Sequence, residues 1–179
     1  MTASPSRRFA IGSVLMIAGL LCFGGLCYLA GARVNTSPSI ALGLYWTCRK
    51  PAENGDYVMF CPPRSELFDT ARERRYIGAG FCSGGYGYIM KRVLAAQNDA
   101  VTVTQDGVRV NGKLLPFSAV LEADQGGRPL PRYRSDGYTL NEHQVLLMTD
   151  VHPFSFDSRY FGPIDRSQIK SVISPVFTW

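Results

Sequence analysis

Val101-Thr102-Val103-Thr104-Gln105-Asp106-Gly107-Val108-Arg109-Val110-Asn111-Gly112 is the stretch that decides the fold class. Valine and threonine alternate at a period of two, and an Asp-Gly pair and then an Asn-Gly pair punctuate the runs, which is the signature of a hairpin with a second tight turn behind it. A helix would repeat its apolar positions every three to four residues instead. The same grammar recurs outward from this point. Tyr57 to Phe60, Tyr88 to Ala95, Val145 to Met148 and Ile169 to Ile173 are further strand candidates, and Glu122 to Arg134 is a Gly/Pro/Arg-rich loop. Only Ser65 to Tyr76 has a helical composition, and there is no internal repeat. The expected fold is an all-β, mainly antiparallel domain.

Upstream the pattern changes completely. Phe9 to Ala32 contains no charged residue and, at about 1.5 Å per helical residue, reaches across a hydrocarbon layer of about 30 Å. The 179-residue chain therefore divides into an N-terminal transmembrane or signal helix, residues 1–32, and one compact domain, residues 33–179. Arg7 and Arg8 precede the apolar stretch, so the positive-inside bias sends everything after Ala32 across the membrane. Ala30-Gly31-Ala32 has the small-x-small pattern of a secretory cleavage site. The domain is thus expected on the periplasmic face of the inner membrane, or soluble in the periplasm if the segment is removed. Cys22 and Cys27 follow Leu21 and Leu26 rather than small residues, which argues against a lipoprotein site.

The net charge of +5 comes mostly from arginine. Those arginines are scattered, and the short Arg72-Glu73-Arg74-Arg75 cluster reads as a solvated helical face, so nucleic acid is not an expected partner. Outside the helix lie Cys48, Cys61 and Cys82. In an oxidising compartment Cys61 and Cys82 can close a loop of about twenty residues, a possible disulfide worth roughly 3 kcal/mol, with Cys48 left over. No Cys-x-x-Cys or closely spaced histidine pair is present, so neither a metal site nor a cofactor is expected.

Chemistry enters with Lys91. In Tyr88-Ile89-Met90-Lys91-Arg92-Val93-Leu94-Ala95 the alternation puts Lys91 on one face with Ile89 and Val93. A lysine there is either salt-bridged or held as a neutral base. The second role requires its pKa to fall by roughly three units, through desolvation and nearby positive charge, for which Arg92 is the adjacent candidate. Ser39 lies in Val34-Asn35-Thr36-Ser37-Pro38-Ser39-Ile40-Ala41-Leu42-Gly43-Leu44-Tyr45-Trp46, directly after the apolar segment. A nucleophile there would meet substrates tethered in the bilayer. A turn-stabilising role is its bland alternative. Of the two histidines, His143 opens a strand and His152 lies in a polar loop, and no Gly-x-Ser-x-Gly elbow accompanies them. A serine paired with a lysine fits better.

Four segments in order resemble the motif boxes of the type I signal peptidases: the Ser39 segment, Gly55-Asp56-Tyr57-Val58, Tyr88 to Val93 with Asp99, and Ser155-Phe156-Asp157-Ser158-Arg159-Tyr160-Phe161-Gly162-Pro163-Ile164. The Ser-Ile-x-Leu-Gly-Leu-Tyr-Trp run and the glycine-rich stretch from Tyr76 to Tyr88 are similar to the TraF-type peptidases of plasmid conjugation. The resemblance implies Ser39 as nucleophile, Lys91 as general base and Asp157 as an acidic residue the reaction needs. It implies Ser37 as a donor to the oxyanion, Ser155 as the group that orients the lysine, and Arg159 as a structural partner of Asp157. One residue departs from the family pattern: Ala41 stands where a proline is usual. The function so implied is a serine endopeptidase or transpeptidase that matures, by cyclisation, a membrane-tethered pilin precursor for the conjugation machinery. A general signal peptidase with water as acceptor and a non-catalytic envelope scaffold are the alternatives.

Overall fold

The computed structural model describes residues 5–179. The chain falls into two units, one ending at Arg33 and the other running from Val34 to Trp179. The first is a single helix, α1 (Pro5–Ala30), whose stretch Phe9–Ala30 is long and apolar enough to cross a membrane. It stops where Gly31 turns left-handed (φ 115°) and Arg33 Nη1 donates to the carbonyls of Tyr28 and Ala32 at 2.7 and 2.8 Å. The Tyr28 carbonyl also accepts from the Gly31 N–H at 3.1 Å, and a cation close to the last turn is favourable at a helix end.

The remainder is antiparallel β structure. In chain order the elements are β1 (Ala32–Asn35), β2 (Gly43–Cys48), β3 (Tyr57–Phe60), α2 (Glu66–Glu73), β4 (Ile89–Ala95), β5 (Ala100–Thr104), β6 (Gly107–Val110), β7 (Lys113–Leu114), β8 (Ser135–Thr139), β9 (Gln144–Met148), α3 (Ser158–Phe161), β10 (Ile164–Asp165) and β11 (Ile169–Thr178). They form a seven-stranded sheet of order β1-β2-β11-β3-β4-β9-β10 and a four-stranded sheet of order β7-β6-β5-β8. The fold is all-β with one N-terminal apolar helix.

The hairpin that opens the sequence reading forms β5 and β6, with its tight turn shifted by one residue. Thr104 pairs with Gly107, so Gln105 and Asp106 make the turn. Gly107 is required for close packing: at its φ of 141° an added Cβ would lie 2.7 Å from Ser118 Oγ. Asn111 and Gly112 both adopt positive φ, 51° and 79°, the conformation an Asn-Gly hairpin turn demands. β2 is not legible in the sequence pattern, and β11 runs on to Thr178 instead of ending at Ile173. Each explains the other, because the second half of β11 pairs with β2, from Ile173 opposite Thr47 to Thr178 opposite Gly43. Pro175 is accommodated where the register shifts.

Both faces of the larger sheet are covered. On one, Val58, Phe60, Val93, Leu147 and Val172 pack under Phe68 and Ala71 of α2. Tyr45, Met59 and Ile173 gather around Ile40 in a separate cluster. Ala95, Leu146 and Met148 join Val101, Val103 and Val108 of the smaller sheet. Each such valine, leucine, isoleucine, phenylalanine or methionine contributes about 1.5–3 kcal/mol by burial, so strands in this region have little freedom to shift. Ser65 caps α2 by accepting from the Phe68 N–H, with Glu66 in the first turn and Arg72 in the last. Cys61 and Cys82 are joined, Cα atoms 5.4 Å apart, and tie the residue after β3 to the glycine-rich segment. Cys48 is free.

Candidate active site

β4 lies between β3 and β9, with Lys91 opposite Val58 and Arg92 opposite Met148. Its burial alternates, so Lys91 shares the inward face with Ile89 and Val93 and is only 2% exposed, whereas past the register shift Ala95 turns to the other face with Leu146. The ammonium has been traded from water into the protein interior, and burial pushes its pKa down to about 8. The nearby Asp157 carboxylate pulls it back up, and the Arg159 guanidinium presses it further down. The Lys91 Nζ donates to Ser155 Oγ at 2.7 Å.

Arg92, the sequence candidate for the cation beside Lys91, does not have that role. Successive residues of a strand face opposite sides. Arg92 points away, donating to the Gly55 carbonyl, pairing with Asp150 and lying over the Tyr57 ring. The cation that acts on Lys91 comes from α3, sixty-eight positions later in sequence (159 − 91).

Asp157 and Arg159 are both wholly buried. They form a two-pronged pair, Nε to Oδ1 at 2.8 Å and Nη2 to Oδ2 at 3.0 Å, the geometry in which an arginine fork matches a carboxylate. Asp157 also caps α3 through the Arg159 N–H and accepts from the Thr149 N–H. Arg159 Nη1 reaches the carbonyls of Ala119 and Pro153, both at 3.0 Å. Among the described residues, neither member of the pair hydrogen-bonds Ser39 or Lys91. Asp157, the acidic residue that the resemblance implies the reaction needs, acts on Lys91 through charge.

Ser39 occupies a turn that follows β1, outside any strand. It is half-buried and Ser37 is exposed. Ser37, Ser39 and Lys91 line one cleft of about 250 Å³, with Ile77, Tyr88 and Phe156 among its walls. Among the described residues no hydrogen bond joins Lys91 to Ser39. A second cavity of about 310 Å³ includes Pro38 and Ser155 and shares Tyr76 and Phe156 with the first. Tyr76 is held by its hydroxyl bond to Asp124, whose carboxylate that bond and the Arg128 guanidinium keep far below the usual carboxylate range. His143 is exposed beside Glu142, and the His152 Nδ1 accepts from the Phe154 N–H.

Sequence reasoning passed over Asn35. It is 4% exposed at the end of β1. Its Nδ2 lies 2.8, 3.0 and 3.0 Å from the carbonyls of Ser37, Ile40 and Ala41, and its Oδ1 accepts from the Ser37 N–H at 3.2 Å. The Tyr45 hydroxyl also donates to the Ala41 carbonyl, at 2.7 Å. The available signal was an asparagine two residues before a serine, an Asx-turn pattern.

The sequence profile described as signal peptidase, peptidase S26, matches residues 7–179. A plasmid transfer protein TraF of Escherichia coli is 64% identical over 175 residues, covering 97% of this chain and 97% of that protein. A conjugal transfer protein TraF of Agrobacterium tumefaciens (strain 15955) is 34% identical over 173 residues, covering 96% and 94%. Among solved structures, a signal peptidase I from Enterococcus faecalis V583 aligns with a TM-score of 0.42 at 18% identity, covering 70% of this chain and 98% of that one.

Proposed function

The chain belongs to the signal peptidase S26 family, in its TraF-type branch, and on that premise we propose that it is a serine peptidase of plasmid conjugation using Ser39 and Lys91. The observation that carries this reading is the buried Lys91 amine, whose pKa of about 8 belongs to a group that opens on the same cleft as Ser39. At that pKa about one amine in ten is neutral at pH 7, against well under one in a thousand for a free lysine. A scaffold would gain nothing by burying an amine there.

The neutral Lys91 amine takes the proton of Ser39, and Ser39 Oγ bonds to the carbonyl carbon of the substrate. The oxyanion that forms is held by the Ser39 N–H and the Ser37 hydroxyl, a type of donor typically worth about 3 kcal/mol. Collapse breaks the C–N bond, the departing amine takes the proton back from Lys91, and an acyl-enzyme remains. Ser155 holds the Lys91 amine in place, and the Asp157–Arg159 pair sets the field around it. Water then releases a trimmed acid, whereas an amine releases a new amide.

The names of the relatives, plasmid transfer protein and conjugal transfer protein, support a substrate within the conjugation apparatus. The substrate of this reading is a membrane-tethered pilin precursor, joined end to end by its own N-terminal amine. α1 as a signal or membrane anchor, with residues 33–179 as the catalytic domain, puts the reaction at the periplasmic face of the inner membrane. Incubation of the purified full chain with pilin precursor tests this. Cyclisation yields a product lighter than its linear counterpart by one water and without a free N-terminal amine. A linear trimmed product makes the protein a hydrolytic signal peptidase, and an unaltered precursor rejects the peptidase reading.

A further inference from the structure

We infer that Asn35 is the residue that positions the Ser39 turn, and hence the nucleophile and the oxyanion donors, an inference that rests on the serine-peptidase reading above. Ser39 has no strand to hold it, and a turn without a ladder must satisfy its carbonyls in some other way. Asn35 does so from inside. Its amide has only two N–H bonds, yet the carbonyls of Ser37, Ile40 and Ala41 converge on it within 3.0 Å. Two hydrogens are therefore shared among three acceptors that span both sides of Ser39. The same side chain accepts the Ser37 N–H, fixing the residue whose hydroxyl is one of the two oxyanion donors.

Only an amide can fill this place. The site needs a donor toward the carbonyls and an acceptor toward the Ser37 N–H, on a side chain short enough to stay beneath the turn. Asparagine supplies both. At 4% exposure water cannot substitute. The arrangement also holds the backbone at Ala41. The Ala41 carbonyl is gripped twice, by Asn35 and by the Tyr45 hydroxyl, so this backbone is held by hydrogen bonds. Tyr45 is itself wholly buried, so the grip is anchored in the core.

The test compares Asn35→Asp and Asn35→Ala with wild type and Ser39→Ala, as full chains in detergent, cleaving an internally quenched peptide with alanine before the scissile bond. Asn35→Asp keeps the acceptor for the Ser37 N–H but turns an oxygen toward three carbonyls. Both variants are expected to lower kcat about 10²-fold, the scale of a misplaced reacting atom, with KM changed by less than about two-fold. The rate should keep its apparent pKa near 8, because Lys91 is untouched. Hydrogen exchange over residues 36–42 should quicken at least about ten-fold while β4 and β9 stay protected.

Wild-type kcat in Asn35→Ala beside an inactive Ser39→Ala overturns the inference alone. So does unchanged exchange over residues 36–42, or exchange that quickens throughout β4 and β9, which would mark general unfolding. If Ser39→Ala cleaves as fast as wild type, the serine-peptidase reading has failed, and Asn35 falls with it as a positioning residue.

Discussion

Lys91 and Ser39 line one cleft from supports of opposite kinds. Lys91 sits mid-strand in β4, bonded through the backbone to β3 and β9 and packed on the face of Val93 and Ile89. Ser39 sits on a turn outside the sheet, held by the side chains of Asn35 and Tyr45. In the proposed dyad the amine must lose water to become a base, so it needs the interior of a sheet. The hydroxyl must be reached by a substrate, so it needs an open rim, and rigidity there has to come from side-chain bonds.

The largest effects should separate the two residues by stability while uniting them by activity. Ser39→Ala and Lys91→Met are each expected to lower peptide cleavage about 10⁴-fold, as removal of one member of a catalytic unit does. Chemical denaturation should find Lys91→Met no less stable than wild type, since it replaces a buried amine by an apolar chain of similar size. A Lys91→Met protein with more than about a tenth of wild-type activity would break the comparison at its centre.

Behind the lysine, Asp157→Ala strands a buried guanidinium and should cost about 3–5 kcal/mol in urea unfolding. A loss under about 1 kcal/mol would mean that the pair opens to water, contrary to its full burial.

Next in size is a pH effect. Lys91 has a folded pKa of about 8 against an ordinary value of 10.5. Between those values the unfolded chain binds a proton that the folded chain has released, so this residue makes stability rise with pH. The gain of wild type relative to Lys91→Met from pH 8 to pH 10 should be about 2–3 kcal/mol. Cleavage should likewise rise ten-fold per unit below about pH 8 and level off above it. A flat profile would show that the amine is not the base.

Smallest is Ser155→Ala, which removes the acceptor of the Lys91 amine. A hydrogen bond to a charged group is worth about 1.5–3 kcal/mol, so cleavage should fall roughly ten- to hundred-fold with little change in KM.

The two supports were unequally legible. Alternation in residues 88–95 announced the face on which Lys91 lies, because a strand's period is local. Arg159, which bears on that amine, could not be found by proximity in sequence, and the nearer Arg92 was the wrong candidate for the same reason of alternation. Asn35 carried only a weak turn signal, since its three acceptors are backbone carbonyls that any residue possesses. β2 escaped notice because Gly43-Leu44-Tyr45-Trp46-Thr47-Cys48 has no clean alternation, and β11, which pairs with it along its whole length, lies more than a hundred residues away.

What the amino-acid sequence determined by itself is whatever depends on near neighbours and composition: an apolar helix long enough for a membrane, tight turns at glycine, a β period, and the family to which the motif boxes belong. What only the tertiary structure decided is the environment of each group: how far burial lowers the Lys91 pKa, which cation faces it, and which side chain closes on the Ser39 turn. Those are properties of dielectric and distance between residues far apart along the chain, and they come into being only when the strands pack.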